Sequence, residues 1–129
     1  MFKLRVAAVA SVAMLAVGYG SAPALAGVDT NLVYTNNLER RAGAGQFIAN
    51  GDRLDVCDLD ADGYSVYAGV VHNRTGITLF SDVNTVGDGT CIGTSKNLVE
   101  GTEVFVKVCL FRNGRQVTST CRNSTRGYA

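Results

Sequence analysis

Apolar and polar positions along this chain alternate with a period of two. Val104, Val106, Val108 and Leu110 fall on one side of an extended segment, with Glu103, Phe105, Lys107 and Cys109 on the other. Tyr64, Val66, Ala68 and Val70 alternate likewise with Ser65, Tyr67, Gly69 and Val71. Successive side chains of a strand point to opposite faces, so this pattern predicts strands, and no segment beyond residue 26 sustains the stripe of a helix. Turn signals divide the strands. Asn50-Gly51 separates Gln46-Phe47-Ile48-Ala49 from Arg53-Leu54-Asp55-Val56, and Asn113-Gly114 separates the run ending at Phe111 from the one beginning at Gln116. Asn-Gly between apolar runs signals a hairpin because both turn positions take positive φ. Asp62-Gly63 and Asp88-Gly89 are further turn candidates. Strands are predicted over 31–36, 44–49, 53–58, 64–72, 77–81, 97–99, 103–111 and 116–122.

Short strands this frequent predict an all-β chain: a small, disulfide-stapled antiparallel β-sandwich, immunoglobulin-like in broad architecture, over residues 44–129. A partly closed barrel is the alternative. Residues 27–43 hold few apolar positions and are predicted to be a flexible or partly ordered N-terminal segment.

The opening of the chain breaks the pattern. Lys3 and Arg5 precede an apolar run from Val6 to Val17, followed by small and polar residues ending in Ala24-Leu25-Ala26. That order is a secretory signal peptide, residues 1–26, with cleavage expected after Ala26. The apolar run falls short of the roughly 20 residues that span a bilayer, so no stable membrane anchoring is expected after cleavage. Without Lys3 and Arg5, ten basic residues face eleven acidic ones. A balance this even argues against a nucleic-acid partner, which calls for a basic face, and against docking on an anionic membrane.

Cys57, Cys91, Cys109 and Cys121 all lie beyond the leader. An even number in a small exported chain reads as two disulfides. Three pairings are open; Cys57–Cys91 with Cys109–Cys121 is preferred because each bridge joins neighbours along the chain. Each loop would stabilise the fold by roughly 3–4 kcal/mol in the chain-entropy model.

Several segments carry a family likeness: Gly51-Asp52-Arg53-Leu54-Asp55-Val56-Cys57-Asp58, then Ala61-Asp62-Gly63, then Glu100-Gly101 ahead of Val104-Phe105-Val106-Lys107-Val108-Cys109. The chain resembles the small secreted β-sandwich proteins of filamentous actinobacteria, a set that includes the small adaptor subunit of umbrella toxin particles. The resemblance covers most of residues 45–122 and implies a sandwich fold and secretion. It carries over no functional residue. The size and cysteine count also match secreted amylase inhibitors, but their Trp-Arg-Tyr triplet is missing and the chain has no Trp.

Two constellations could carry chemistry. Asp58-Leu59-Asp60-Ala61-Asp62-Gly63 opens like an EF-hand loop, so Asp58, Asp60 and Asp62 are candidate ligands for a weak calcium site. Position twelve, however, is Gly69 where a bidentate Glu is needed, and the flanks read as strands. A solvated acidic turn is the plainer account, and no other cofactor is expected. Arg40-Arg41, in a Gly-flanked polar stretch, forms a candidate partner contact: an exposed basic loop that could enter the pocket of a trypsin-like protease. Catalysis has little footing. His72 is the sole histidine, and carboxylates crowded on a turn lack the pocket that separates acid from base. The function expected is a secreted, non-catalytic binding or adaptor module with an extracellular protein partner. Its alternatives are an inhibitor of a secreted protease or amylase and a weak calcium-binding module.

Overall fold

The computed structural model describes residues 27–38 and 40–129, so the expected signal peptide lies outside the described residues. In chain order the strands are β1 (Val33–Asn37), β2 (Arg40–Ile48), β3 (Arg53–Asp58), β4 (Ser65–His72), β5 (Thr78–Asn84), β6 (Thr90–Ser95), β7 (Glu103–Arg112), β8 (Arg115–Gln116), β9 (Arg122–Asn123) and β10 (Gly127–Tyr128). Among the described residues one 3-10 turn is present, at Thr118–Thr120. One sheet has the order β1-β2-β3-β6; the other runs β10-β7-β4-β5, with β8 and β9 also pairing β7. All pairings are antiparallel, and the two sheets face each other as a β-sandwich, immunoglobulin-like in broad architecture. Among the described residues no helix is long and apolar enough to cross a membrane.

The alternation explains the core. Val104, Val106, Val108 and Leu110 of β7 and Val66, Ala68 and Val70 of β4 face Phe47, Leu54 and Val56 of the first sheet, all buried. The outer face of β4 is covered as well. Tyr67 is buried there beside Phe111, with ring centroids 6.4 Å apart.

Three expectations need correction. Residues 27–43 are not set apart from the sandwich: they supply β1 and the start of β2, and Val28 bridges Tyr128 of β10. The start of β2, Ala42-Gly43-Ala44-Gly45, is buried, but its residues are too small to register as an apolar run. The reason for small residues is steric. A Cβ on Gly43 would lie 2.6 Å from both methyls of Val66, and one on Gly45 would lie 3.1 Å from Ala68 Cβ and Val106 Cγ1. The expected strand at 97–99 is loop, and the strand comes earlier, as β6. The segment 116–122 is a 3-10 turn flanked by two-residue strands, because Thr120 Oγ1 accepts the Leu110 N–H at 2.9 Å and draws the chain back over β7.

Both turns built on Asn-Gly form, with different geometry. Asn113 and Gly114 have φ of 53° and 72°, whereas at the first turn the positive values fall on Gly51 and Asp52.

The disulfides join Cys57 to Cys91 and Cys109 to Cys121. Cys57 and Cys91 are register partners on adjacent strands of one sheet, and Cys121 leads into β9, which pairs with β7. Each bridge therefore staples strands within a sheet. A polar link across the sheets comes from fully buried Asn84, at the end of β5, which donates through Nδ2 to Val56 O at 3.1 Å and Thr90 O at 2.9 Å. Its Oδ1 accepts the Val86 N–H at 3.0 Å and the Thr90 hydroxyl at 3.2 Å. Every hydrogen-bonding position of the amide is used, which is what makes a buried Asn tolerable.

Two stability predictions follow from this packing. Gly43→Ala is expected to cost about 1–3 kcal/mol, the range for overpacking a filled core, read as a lower denaturant midpoint at constant m. Asn84→Ala strands buried carbonyls and is expected to cost about 2–4 kcal/mol by the same measurement.

Candidate functional site

Strand register places one set of turns together. Asp58 at the end of β3 pairs with Gly43 and Thr90; Ser65 at the start of β4 pairs with Phe111; Asn84 at the end of β5 pairs with Val66. The turn between β1 and β2, the loops 59–64 and 85–89, and the turn at Asn113-Gly114 thus share one end of the sandwich. An open cleft of about 370 Å³ lies there, lined by Asp58, Asp60, Asp62 and Tyr64 on one side and Gly87 and Asp88 on the other.

The acidic loop is organised by its own hydrogen bonds. Asp58, only 3% exposed, accepts the Asp60 N–H through Oδ1 at 3.3 Å. Asp62 accepts the Tyr64 N–H through Oδ1 at 2.9 Å and the Asn37 side-chain amide through Oδ2 at 3.1 Å. Side chains that satisfy local N–H groups in this way build turns without metal. Asp58, Asp60 and Asp62 share the cleft but do not close on a common point. Among the described residues, no three of His, Cys, Asp or Glu are grouped to hold a metal ion. In the structure the loop is an Asx-type turn between strands, with Asp58 Oδ1 and Asp62 Oδ1 accepting backbone N–H groups and Asp62 Oδ2 the Asn37 amide.

Burial raises the Asp58 carboxyl above its ordinary 3.8; the Asp60 N–H opposes this, and the charges of Asp62, Asp88 and Asp60 add to the rise. Such a residue holds its proton to higher pH when folded than when unfolded. Its contribution to stability is therefore full below 3.8 and falls as pH climbs through the raised value.

Arg40 and Arg41 are exposed, as expected, but they stand in β2 opposite Asn37 and Asn36, so the expected basic loop is a strand. The Arg41 guanidinium lies 4.1 Å above the Tyr34 ring. A second such pair flanks the same end, with Arg112 at 5.2 Å above Tyr64. A paired strand position does not offer the extended, free backbone that a protease pocket takes.

His72 lies at the opposite end, closing β4. Its Nδ1 accepts the N–H groups of Arg74 and Thr75 at 3.2 and 3.3 Å, so that nitrogen shapes a turn. The neighbouring Glu103 is engaged by Asn73 at 3.1 Å and by Arg126 at 2.8 Å.

Sequence reasoning missed Leu38. It caps the turn between β1 and β2, 95% exposed, with φ of 54°. Leu59 and Val86, also exposed, sit on the two loops of the same end. The signal was a lone apolar residue between Asn37 and Glu39, which no periodicity singles out.

No family model matches the chain, and no curated protein matches it. Among solved structures it is similar to a DUF3244 family protein with an immunoglobulin-like β-sandwich fold from Bacteroides vulgatus ATCC 8482. Identity is 11%, the match covers 80% of this chain and 96% of that one, and the TM-score is 0.47. The sandwich rests on the strand pairing itself.

The acidic turn yields one prediction with two readouts. Asp58→Asn keeps the acceptor for Asp60 and removes the buried charge, so thermal unfolding at neutral pH should occur at a higher midpoint than in wild type. The gap should close as pH falls towards 3.8. Calcium followed by chelator should leave both midpoints unchanged, since binding to the folded state alone would raise them.

Proposed function

We propose that this chain is a secreted, non-catalytic module that binds an extracellular protein through the end of the sandwich capped by Leu38. The single observation that carries the reading is Leu38 itself. A left-handed backbone costs a residue with Cβ roughly 1–2 kcal/mol, and a leucine held there in water gains nothing in the isolated chain. Burying the same side chain against a partner is worth roughly 1.5–3 kcal/mol, enough to offset the strain. Strained residues at exposed tips point to function in this direction of inference.

The surroundings fit a protein partner. Leu59 and Val86 add apolar surface, while the Arg41–Tyr34 and Arg112–Tyr64 pairs supply the arginine and aromatic groups enriched at interfaces. Two disulfides belong to an oxidising compartment, and the leader-like residues 1–26 supply the export part of the reading. The resemblance to secreted actinobacterial sandwich proteins, adaptor subunits among them, points the same way.

The test is capture from the native culture supernatant with wild-type and Leu38→Asn protein. Asn tolerates the left-handed conformation, so the variant should melt at or above the wild-type midpoint. Its affinity for the captured partner should drop by about tenfold or more, as for a central contact residue. Capture of no protein by wild type, or equal capture by Leu38→Asn, would contradict the reading.

A further inference from the structure

The sheet edges of the sandwich are not treated alike. At β5 the register skips Leu79, the Lys96 ammonium donates to Leu79 O at 3.0 Å, and the Val83 N–H is taken by Asp82 Oδ1 at 2.8 Å. A bulge and charged side chains are the ordinary means of blocking an edge. β1 carries a register shift between Thr35 and Asn36 and lies against β9 and the 3-10 turn, to which Thr35 donates through its hydroxyl. The remaining edge of the second sheet consists of two-residue pieces.

Within its own residues β6 has none of these devices. Its residues Thr90-Cys91-Ile92-Gly93-Thr94-Ser95 include no charge and no proline, and its register with β3 is unbroken. The Cα atoms of Cys57 and Cys91 are 4.0 Å apart, which marks theirs as a non-hydrogen-bonded pair of the ladder. By alternation, the N–H and C=O groups of Cys91, Gly93 and Ser95 then point away from β3, towards the open side. All three residues are exposed, and among the described residues their outward backbone groups have no partner.

We propose that β6 is a dimerisation edge at which two copies of this chain pair their β6 strands antiparallel about a two-fold axis at Gly93. The strand is suited to pairing with itself. With Gly93 opposite Gly93, Cys91 meets Ser95 of the other copy, and each of these pairs exchanges two backbone hydrogen bonds. Ile92 meets Thr94 on the core-facing side, a pair of β-branched residues of the kind sheets favour.

Charge selects the second copy as occupant. On the outer face, the Arg53–Asp55 ion pair, 2.8 Å, leans over Gly93, where a Cβ would sit 3.2 Å from Asp55 Oδ1 and 3.3 Å from Arg53 Cδ. A two-fold axis perpendicular to the sheet sets the two Arg53–Asp55 dipoles antiparallel, the attractive arrangement. The half-buried Ile92 and Phe80 border the same open side and gain cover. Pairing at this side directs the two Leu38 ends away from each other, so neither is blocked.

The test is sedimentation of the oxidised protein from about 1 μM to about 1 mM, with amide exchange measured across the same range. The expected result is a mass that doubles with concentration, accompanied by slowing exchange of the Cys91, Gly93 and Ser95 amides. Ser95→Pro removes one outward N–H and Ser95→Lys places a charge on the edge. Either change, in protein with an unaltered melting profile, should weaken association by about tenfold or more. Val83→Lys, on the edge already blocked, should leave association unchanged. A monomer throughout the range would overturn the proposal. So would a dimer that persists in both Ser95 variants or forms while those three amides exchange freely.

Discussion

The sandwich depends on how closely β2 can approach the opposite sheet. Both disulfides run within sheets, so neither ties one sheet to the other. What joins the sheets is an apolar layer of valines with Phe47, Leu54 and Leu110, closed at one end by the amide of Asn84. That layer closes only because Gly43 and Gly45 carry no side chain where Val66, Ala68 and Val106 come up against them. Side-chain size at two positions thus sets the spacing on which the buried faces of both sheets rely. The bridges act beneath this level: they limit the freedom of the unfolded chain and hold neighbouring strands in register.

The same packing arranges the loop end. Asn84 takes carbonyls from β3 and β6 and an N–H from the 85–89 loop, so the clamp between sheets also fixes the wall of the cleft that carries Asp88. Across the cleft, Asp62 joins Tyr64 and Asn37, coupling the acidic loop to the turn that holds Leu38. A rigid base under a strained apolar tip is the arrangement expected of a surface shaped for contact. Electrostatics does not dominate it, since acidic loop and arginines lie side by side on a chain of nearly balanced charge.

How much of this was legible varied with what each strand packs against. β3 and β7 alternate large apolar residues with polar ones, and their extents were readable from the sequence. β2 was half hidden because the buried residues of its first half are Ala and Gly, which satisfy a steric demand rather than a hydrophobic one. β6 has one inward apolar residue, Ile92, whereas the more hydrophobic Leu98-Val99 that follows is loop; the Leu98 N–H is held there by buried Asp52 at 2.9 Å. Of the site residues, the cysteines were legible as bridged and the acidic run as a turn. Arg40-Arg41 was legible as exposed but not as strand. Leu38 and Asn84 were not legible at all, since a backbone dihedral and partners distant in sequence leave no local pattern.

The central claim, that the two sheets meet at Gly43 and are pinned at Asn84, is most directly tested by through-space proton contacts in solution. The account predicts strong contacts from the Gly43 α-protons to the Val66 methyls, and a slowly exchanging Asn84 side-chain amide in contact with Thr90. A folded, oxidised protein without the Gly43–Val66 contacts, or with a freely exchanging Asn84 amide, would contradict it.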